Sequence, residues 1–359
     1  MHLEQLEVLY ESTPKPINFI GRKISIPNEH VNLYGPPKSG KSWLVLDYLS
    51  NIPKKKQIYI DLNDIRLDKS LLNKKLQNFI QTNKIDVVAI DHCDGFIDLP
   101  KCRQLIVVSQ KPIFSPTLFS LPLQPLDFEE YLAFQKRHIH LEHSFSLYLR
   151  TGSLPEMATI HETLITKNLH QIVRTTFPQP NEQIFFRTLA KFLGKPLTAN
   201  QLYTTLKKEH KFSKDRVYKT IKEWEDRQII KWVKKYNQPK AVKRVLLYDF
   251  ALPTSIYFEK SLIGQLYSIA AYKMLQNFSD IFYTETIEIY EPTTNQAILL
   301  LPFANQQSSA MKVAKLINEI DTLNIRSITI LTISNSFEFI FEKINVIAKP
   351  FYEWIMEED

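Results

Sequence analysis

Eight consecutive residues, Gly35-Pro36-Pro37-Lys38-Ser39-Gly40-Lys41-Ser42, constrain this chain more than any other feature. The chain has only seven glycines, and two of them stand at the glycine positions of this motif. In such a loop the backbone N–H groups close around phosphate oxygens, the lysine reaches the terminal phosphates, and the last hydroxyl binds Mg²⁺. The motif therefore predicts nucleoside-triphosphate binding, with Ser42 as a metal ligand. The alternative is an ordinary helix that a glycine turn caps.

The residues on either side give this loop the context that it needs. His30–Tyr34 is predicted to form a buried strand, and Trp43–Leu49 a helix. Phosphate would then lie at a helix N-terminus, where the N–H groups and the helix dipole favour an anion.

A second group of candidate residues follows an apolar run that ends in a carboxylate. Gln57–Leu62 predicts a strand, Lys69–Asn83 an amphipathic helix, and Asp86–Asp91 a further strand. An acid at the carboxyl end of a parallel strand faces the phosphate loop and can hold Mg²⁺. We therefore expect Asp91 to be a metal ligand, the alternative being that it only caps the next turn.

The residues after Asp91 are candidates for the base that activates water. His92 is one, because histidine accepts protons near neutral pH, although a lone histidine is more often structural. Asp94 is the other, and its backbone would have to swing toward the phosphate. Leu105–Gln110 predicts the next strand, whose last residues, Ser109 and Gln110, are placed to contact a terminal phosphate or its water; alternatively they only begin a loop.

Length and composition narrow the class of protein. A chain of 359 residues predicts two or three domains, each with its own core. Two cysteines are too few for a disulfide framework, and no apolar run approaches the length of about 20 residues that a membrane span needs. The first residues lack the pattern of a signal peptide. We expect a soluble, cytoplasmic protein without a membrane role.

The middle of the chain predicts three helices followed by a strand pair, the order of a winged helix. The helices are 181–193, 198–208 and one capped by Ser213 that runs to about Arg227; the strands are 229–233 and 242–248. In the third helix Val217, Ile221 and Trp224 fall on one face and predict its buried stripe.

This segment is strongly basic. Residues 207–244 contain 14 Lys and Arg against 5 Asp and Glu, whereas the whole chain has a net charge of +7. Such a concentration is typical of a surface that binds a polyanion. We expect double-stranded DNA to contact Lys214, Lys219, Lys222, Lys234 and Lys235; a solvated face or a domain-packing surface is the alternative.

The ordered motifs resemble those of archaeal-type AAA ATP-binding proteins. The resemblance rests on the phosphate loop and on the runs 59–67, 125–132 and 148–156. It implies a P-loop domain, a winged helix and a C-terminal domain related to restriction-endonuclease-like nucleases. In AAA ATPases a Glu usually follows the strand-end Asp, where this chain has His92. The arginine finger is unassigned, with Arg150 the nearest candidate and a surface ion pair its alternative.

The last third of the chain lacks part of the set of residues that a nuclease site needs. Active members carry an Asp on one strand and Glu-x-Lys on the next, but the predicted second strand, 297–303, has neither acid nor lysine. Glu259 is present on the opening helix, Glu285 and Glu288 on the predicted first strand, 282–290, and Glu291 at its end. We interpret them as a solvated face or ion-pair partners in a degenerate domain.

The sequence thus predicts an α/β P-loop NTPase domain of the AAA type with a parallel sheet and a helical extension, then a winged helix and a small α/β nuclease-like domain. The expected domains are 1–157, 158–252 and 253–359. The expected function is an ATP- and Mg²⁺-dependent switch, with slow hydrolysis if any, that controls DNA binding. The alternatives are a nucleotide-gated protein scaffold, with a protein partner or a second copy, and an active nuclease. The sequence does not indicate whether the chain prefers ATP or GTP.

Overall fold

The structure, a computed structural model, describes residues 3–12, 19–93, 98–135, 140–257 and 261–357. Its chain divides into two compact units. The first comprises Met1–Leu126 together with Glu223–Ile229, and the second Asp127–Lys222 together with Ile230–Asp359. The three-domain division stays a prediction.

The first unit is a parallel β-sheet with helices on both faces. Its elements are α1 (Leu3–Glu11), β1 (Val31–Tyr34), α2 (Lys41–Ser50), β2 (Gln57–Asp61), α3 (Lys69–Asn83), β3 (Val87–Asp91), β4 (Gln104–Ser109) and β5 (Phe119–Pro122). The strand order is β2-β3-β4-β1-β5, and each neighbouring pair is parallel. A parallel sheet is buried on both faces, which explains runs such as Val-Val-Ala-Ile in β3.

Alternate residues of these strands pack against different helices. Ile58 and Ile60 of β2 lie in the core formed with α1 and α3, whereas Tyr59 lies in the core formed with α2. The carboxyl ends of β1, β4 and β3 are neighbours in that order. The residues after β4 therefore lie between the phosphate loop, which follows β1, and Asp91, which ends β3.

The second unit combines helices with a nine-stranded sheet. Its first elements are α4 (Phe128–Phe134), α5 (Leu141–Thr151), α6 (Pro155–Ala158), α7 (Ile165–Thr176), α8 (Pro180–Ala190), β6 (Pro196–Leu197), α9 (Ala199–Glu209), α10 (Lys214–Asp226), β7 (Ile230–Lys235) and β8 (Lys243–Leu247). The last turn of α10 belongs to the first unit. Val217, Ile221 and Trp224 are buried, which confirms the stripe predicted for this helix.

The remaining elements complete the sheet. They are α11 (Leu262–Asn277), β9 (Phe282–Tyr283), β10 (Ile289–Glu291), β11 (Gln296–Leu300), α12 (Gln306–Ala314), α13 (Ile317–Leu323), β12 (Ser327–Thr332), β13 (Phe337–Phe341), β14 (Ile344–Pro350) and α14 (Phe351–Trp354). The strand order is β13-β14-β12-β11-β10-β9-β7-β8-β6. The antiparallel hairpin β7–β8 is thus continuous with the C-terminal strands, because β7 pairs in parallel with β9.

The prediction of one strand over 282–290 was wrong. The segment forms two short strands, β9 and β10, which fold back on each other in antiparallel pairing. The reason is a turn that Thr284 stabilises: its hydroxyl accepts hydrogen bonds from the N–H groups of Thr286 and Ile287. Threonine side chains compete with the ladder for backbone donors in this way.

No helix in the described part of the chain is long and apolar enough to cross a membrane.

Candidate functional site

The phosphate loop has the backbone shape that its glycines permit. Gly35 has φ 154° and Gly40, which precedes α2, has φ 95°; Lys38 between them also has a positive φ of 65°. A Cβ at Gly35 would lie 2.1 Å from the carbonyl oxygen of Leu123, so only glycine fits. Pro36 and Pro37 have no N–H group. After Gly35, the donors of the loop are therefore the amides from Lys38 to Ser42.

Lys41 is the first residue of α2, and its ammonium group is held inside the loop. Its Nζ donates to the carbonyl oxygens of Gly35 at 2.9 Å and Pro36 at 2.7 Å, and the residue is only 9% exposed. Burial lowers the pKa of Lys41 to about 8, and the charge of Asp91 offsets part of that effect. A buried cation at a helix N-terminus, among glycine-rich backbone, is a site that an anion would stabilise.

Ser39 links the loop to the segment after β5. Its backbone carbonyl accepts a hydrogen bond from Arg22 Nη1 at 2.8 Å, and Arg22 Nη2 donates to the carbonyl of Gln124 at 2.9 Å. The Ser39 hydroxyl is fully buried and has no hydrogen-bond partner among the described residues. A buried polar group without a partner is uncommon in folded proteins, and an anion bound in the loop would supply an acceptor for this hydroxyl.

Asp91 lies at the end of β3, as the sequence predicts, and is 1% exposed. Tyr59, from the neighbouring strand β2, donates its hydroxyl to Asp91 Oδ2 at 2.6 Å and also contacts the Ser42 hydroxyl. Burial, and next the charge of Asp91, raise the pKa of Tyr59 far above its ordinary value, so the phenol stays a donor. Two hydroxyl groups and one carboxylate therefore lie together here, from Ser42, Tyr59 and Asp91.

This donor set fits Mg²⁺. Magnesium prefers oxygen ligands and is usually held by one or two carboxylates together with phosphate oxygens. Ser42 and Asp91 are the protein ligands that the structure offers, and the orphaned hydroxyl of Ser39 and the buried Lys41 lie in the same loop.

His92 has a positive φ of 55°, and its ring is bound by a second carboxylate. Nδ1 lies 2.7 Å from Asp61 Oδ1 and 3.6 Å from Asp91 Oδ1. Asp61 and Asp91 are paired in register at the ends of β2 and β3, which explains why both reach one imidazole. Since an ionised carboxylate only accepts hydrogen bonds, Nδ1 carries a proton and donates it to Asp61, which fixes the orientation of the ring. Asp94, the other candidate base, lies outside the described residues.

The two residues at the end of β4 have different surroundings. The Ser109 hydroxyl accepts from Asn32 Nδ2 at 2.8 Å and donates to the carbonyl of Lys111 at 2.6 Å, and the residue is 2% exposed. Gln110 Oε1 accepts a hydrogen bond from Arg227 Nε at 2.6 Å. The Ser109 hydroxyl thus already donates its proton to a protein carbonyl. The side chain of Gln110 is more exposed than that of Ser109.

The basic residues predicted to bind DNA fall into two groups. Lys214, Lys219 and Lys222 are exposed on α10, and Lys234 is exposed on β7. Lys235 differs, because it forms an ion pair with Glu285 and its side chain is only 12% exposed. A phosphate contact by Lys235 would require that ion pair to open.

The described acids of the nuclease-like segment do not form a metal site. Glu285 pairs with Lys235, and Glu291 accepts hydrogen bonds from Thr293 and Thr294, which lower its pKa although burial opposes them. Burial raises the pKa of Glu288. Glu259 lies outside the described residues. Among those that are described, no group of three or more His, Cys, Asp or Glu side chains could hold a metal ion.

The candidate arginine finger, Arg150, is an exposed ion-pair partner of Glu162 at 2.8 Å. Sequence reasoning did not assign Tyr59, Asp61 or Arg227 to the site. Tyr59 and Asp61 could have been predicted. They occupy alternate positions at the end of β2, so their side chains lie on one face of the sheet, the face that carries Asp91 of the neighbouring strand β3. Arg227 could not have been predicted, because only the tertiary fold brings residues 110 and 227 together.

Comparison with models of known protein families and with curated proteins finds no match. Among solved structures, the chain is similar to the Aeropyrum pernix ORC1 protein, determined in complex with DNA. The two share 13% identity at a TM-score of 0.33, over 71% of this chain and 90% of that one. At that TM-score the likeness does not bear on function.

Proposed function

We propose that this chain is a P-loop ATPase that binds Mg²⁺-ATP and acts as a nucleotide-controlled switch. The observation that carries the proposal is the buried ammonium group of Lys41, held at the head of α2 by the carbonyls of Gly35 and Pro36. Its charge has no carboxylate partner in direct contact in the loop, and terminal phosphates would supply the missing anion.

The other residues have complementary roles in this proposal. The amides from Lys38 to Ser42 bind phosphate oxygens, and Ser42 and Asp91 would hold the metal ion. When bound, Mg²⁺ neutralises negative charge on the phosphates. Tyr59 keeps the Asp91 carboxylate in place through the 2.6 Å hydrogen bond. His92, oriented by Asp61, accepts the proton of the attacking water through Nε2.

We further propose that the nucleotide controls DNA binding by a winged helix. The order α8, β6, α9, α10, β7, β8, with β6 and β7 both paired to β8, supports this proposal. Lys214, Lys219 and Lys222 project from α10, the helix that would contact the duplex, and phosphate contacts by such lysines position a protein without reading bases.

Binding measurements test both parts. Mg²⁺-ATP should bind the wild-type chain, with GTP as the competitor that decides base preference, and Lys41→Ala should weaken binding by about tenfold or more. Lys54→Ala is the matched control, because Lys54 is exposed in a turn of the same unit. Binding that is equal in all three proteins contradicts the site.

For DNA, the triple variant Lys214→Ala, Lys219→Ala, Lys222→Ala should lose duplex binding and keep ATP binding. Lys315→Ala, which removes an exposed lysine elsewhere in the second unit, should keep both. Duplex binding that the triple variant retains would remove the DNA role.

One observation favours a nucleotide-gated protein scaffold as the second candidate. The hairpin β7–β8 is built into the nine-stranded sheet through β9, and Glu285 holds Lys235. A wing fixed in this way would present the hairpin as a packing surface. Absence of DNA retention at low salt, with ATP binding intact, would support this candidate.

A further inference from the structure

The turn between α10 and β7 belongs to the unit that contains the phosphate loop. Residues Glu223–Ile229 group with the first unit, although α10 begins in the second. The turn is tightly built: the amide of Gln228 donates to Glu225 at 2.9 Å, and that of Ile229 donates to Trp224 at 2.8 Å. Trp224 and Ile229 are buried, at 1% and 0% exposed. A displacement of this turn would therefore move the last turn of α10 with it.

Arg227 in this turn binds Gln110, the residue that follows strand β4. Its Nε donates to Gln110 Oε1 at 2.6 Å. Because an arginine Nε is always a donor, the atom that faces it must be the amide oxygen of Gln110 and not the nitrogen. The Gln110 NH₂ group therefore points elsewhere, and it has no acceptor among the described residues. This NH₂ group can therefore donate a hydrogen bond to an anionic oxygen.

A second set of hydrogen bonds joins the same turn to the phosphate loop. Gln124 Nε2 donates to Gln228 Oε1 at 3.0 Å, and the carbonyl of Gln124 accepts from Arg22, which also binds the carbonyl of Ser39. The turn is thus connected to the loop through Arg22 and to the end of β4 through Gln110. Both connections lie within the first unit.

We propose that Arg227 is a positioning residue that orients Gln110 toward the terminal phosphate and transmits the nucleotide state to α10. The inference rests on the proposed function, because it requires a triphosphate at the loop. When the terminal phosphate is present, it accepts from the Gln110 NH₂ group, and the amide oxygen stays on Arg227. When it is absent, the Gln110 side chain loses that anchor, and its hydrogen bond to Arg227 holds the turn less firmly. Coupling between two sites of this kind is typically about 5- to 150-fold in affinity.

Hydrogen–deuterium exchange of the peptide that covers residues 223–229 tests the inference without DNA. In the wild-type chain, amides of this turn should exchange several-fold more slowly with Mg²⁺ and a non-hydrolysable ATP analogue than with Mg²⁺-ADP. In Arg227→Ala the two nucleotides should give the same exchange. Arg227→Lys should behave in the same way, because it keeps the charge but lacks the Nε donor; it replaces the alanine variant should that fail to fold.

The matched control is Asp226→Asn, which changes an exposed charge next to Arg227 and should keep the nucleotide difference. Nucleotide affinity is measured on the same samples by calorimetry. If the wild-type chain binds both nucleotides but exchange in the turn is equal, or if Arg227→Ala keeps the difference, the inference is wrong and the ATP site stands. If the wild-type chain binds neither nucleotide, the proposed function fails and the inference fails with it.

Discussion

Lys41→Met should separate the stability of the free protein from its affinity for ATP. Methionine keeps most of the volume of the lysine side chain and removes its charge. Burial lowers the pKa of Lys41 from 10.5 to about 8, which corresponds to about 3 kcal/mol of unfavourable charge burial. The variant regains that free energy but loses two hydrogen bonds from the charged ammonium group to Gly35 and Pro36, each worth about 1.5 kcal/mol, the lower value for a charged donor. The net change in unfolding free energy should therefore be within about 1 kcal/mol.

The affinity should change far more than the stability. A charge-assisted contact to phosphate is worth about 1.5 to 3 kcal/mol, so Mg²⁺-ATP should bind Lys41→Met at least about tenfold more weakly. Urea unfolding without nucleotide and calorimetry with nucleotide measure the two quantities on the same preparation. A loss of more than about 2 kcal/mol of stability, or an unchanged affinity, would refute this reasoning.

The pH dependence of the same variant gives a further check with a definite sign. Between pH 8 and 10.5 the unfolded wild-type chain keeps the proton of Lys41 while the folded chain loses it. Stability rises with pH wherever the unfolded state binds more protons, so over this range the wild-type chain should gain up to about 3 kcal/mol relative to Lys41→Met. A stability difference that stays constant from pH 7.5 to 10 would contradict the assigned burial of the charge.

Four other outcomes follow from the structure. Tyr59→Phe removes the donor to the buried Asp91 carboxylate and should lower the unfolding free energy by about 1.5 to 3 kcal/mol in urea. Burial raises the pKa of Cys102 to about 11, so its alkylation by iodoacetamide should be slow at pH 8 and accelerate toward pH 11; fast labelling at pH 8 would count against this. Lys219→Ala should flatten the slope of log affinity for duplex against log salt by about 0.9, whereas Lys235→Ala, which removes a residue already paired with Glu285, should leave it unchanged. Plasmid DNA should stay intact in Mg²⁺ or Mn²⁺, since β11 carries neither an acid nor a lysine and Glu285 is paired with Lys235.

Local patterns allowed much of the first unit to be predicted. The helix predicted over Lys69–Asn83 is α3 with the same bounds, and Asp91 ends β3 as expected. These features depend on periodicity and on the carboxyl ends of buried strands, both of which the sequence shows directly. The wrong strand over 282–290 has a local cause as well, because its apolar residues fit a strand but Thr284 draws the backbone into a turn.

The rest of the candidate site depends on contacts that no local pattern encodes. His92 looked isolated in the sequence, and only the register of β2 with β3 brings Asp61 to its ring. Arg227 belongs by sequence to a basic helix, where its charge suggested a polyanion, yet the fold places it against Gln110 at the end of β4. The basic segment is therefore not uniform. Lys219 projects to solvent from α10, while Arg227, directly after the same helix, binds Gln110 within the unit that carries the phosphate loop. In the proposed switch, such a contact carries the nucleotide state to the last turn of α10, and the exchange of residues 223–229 measures that step directly.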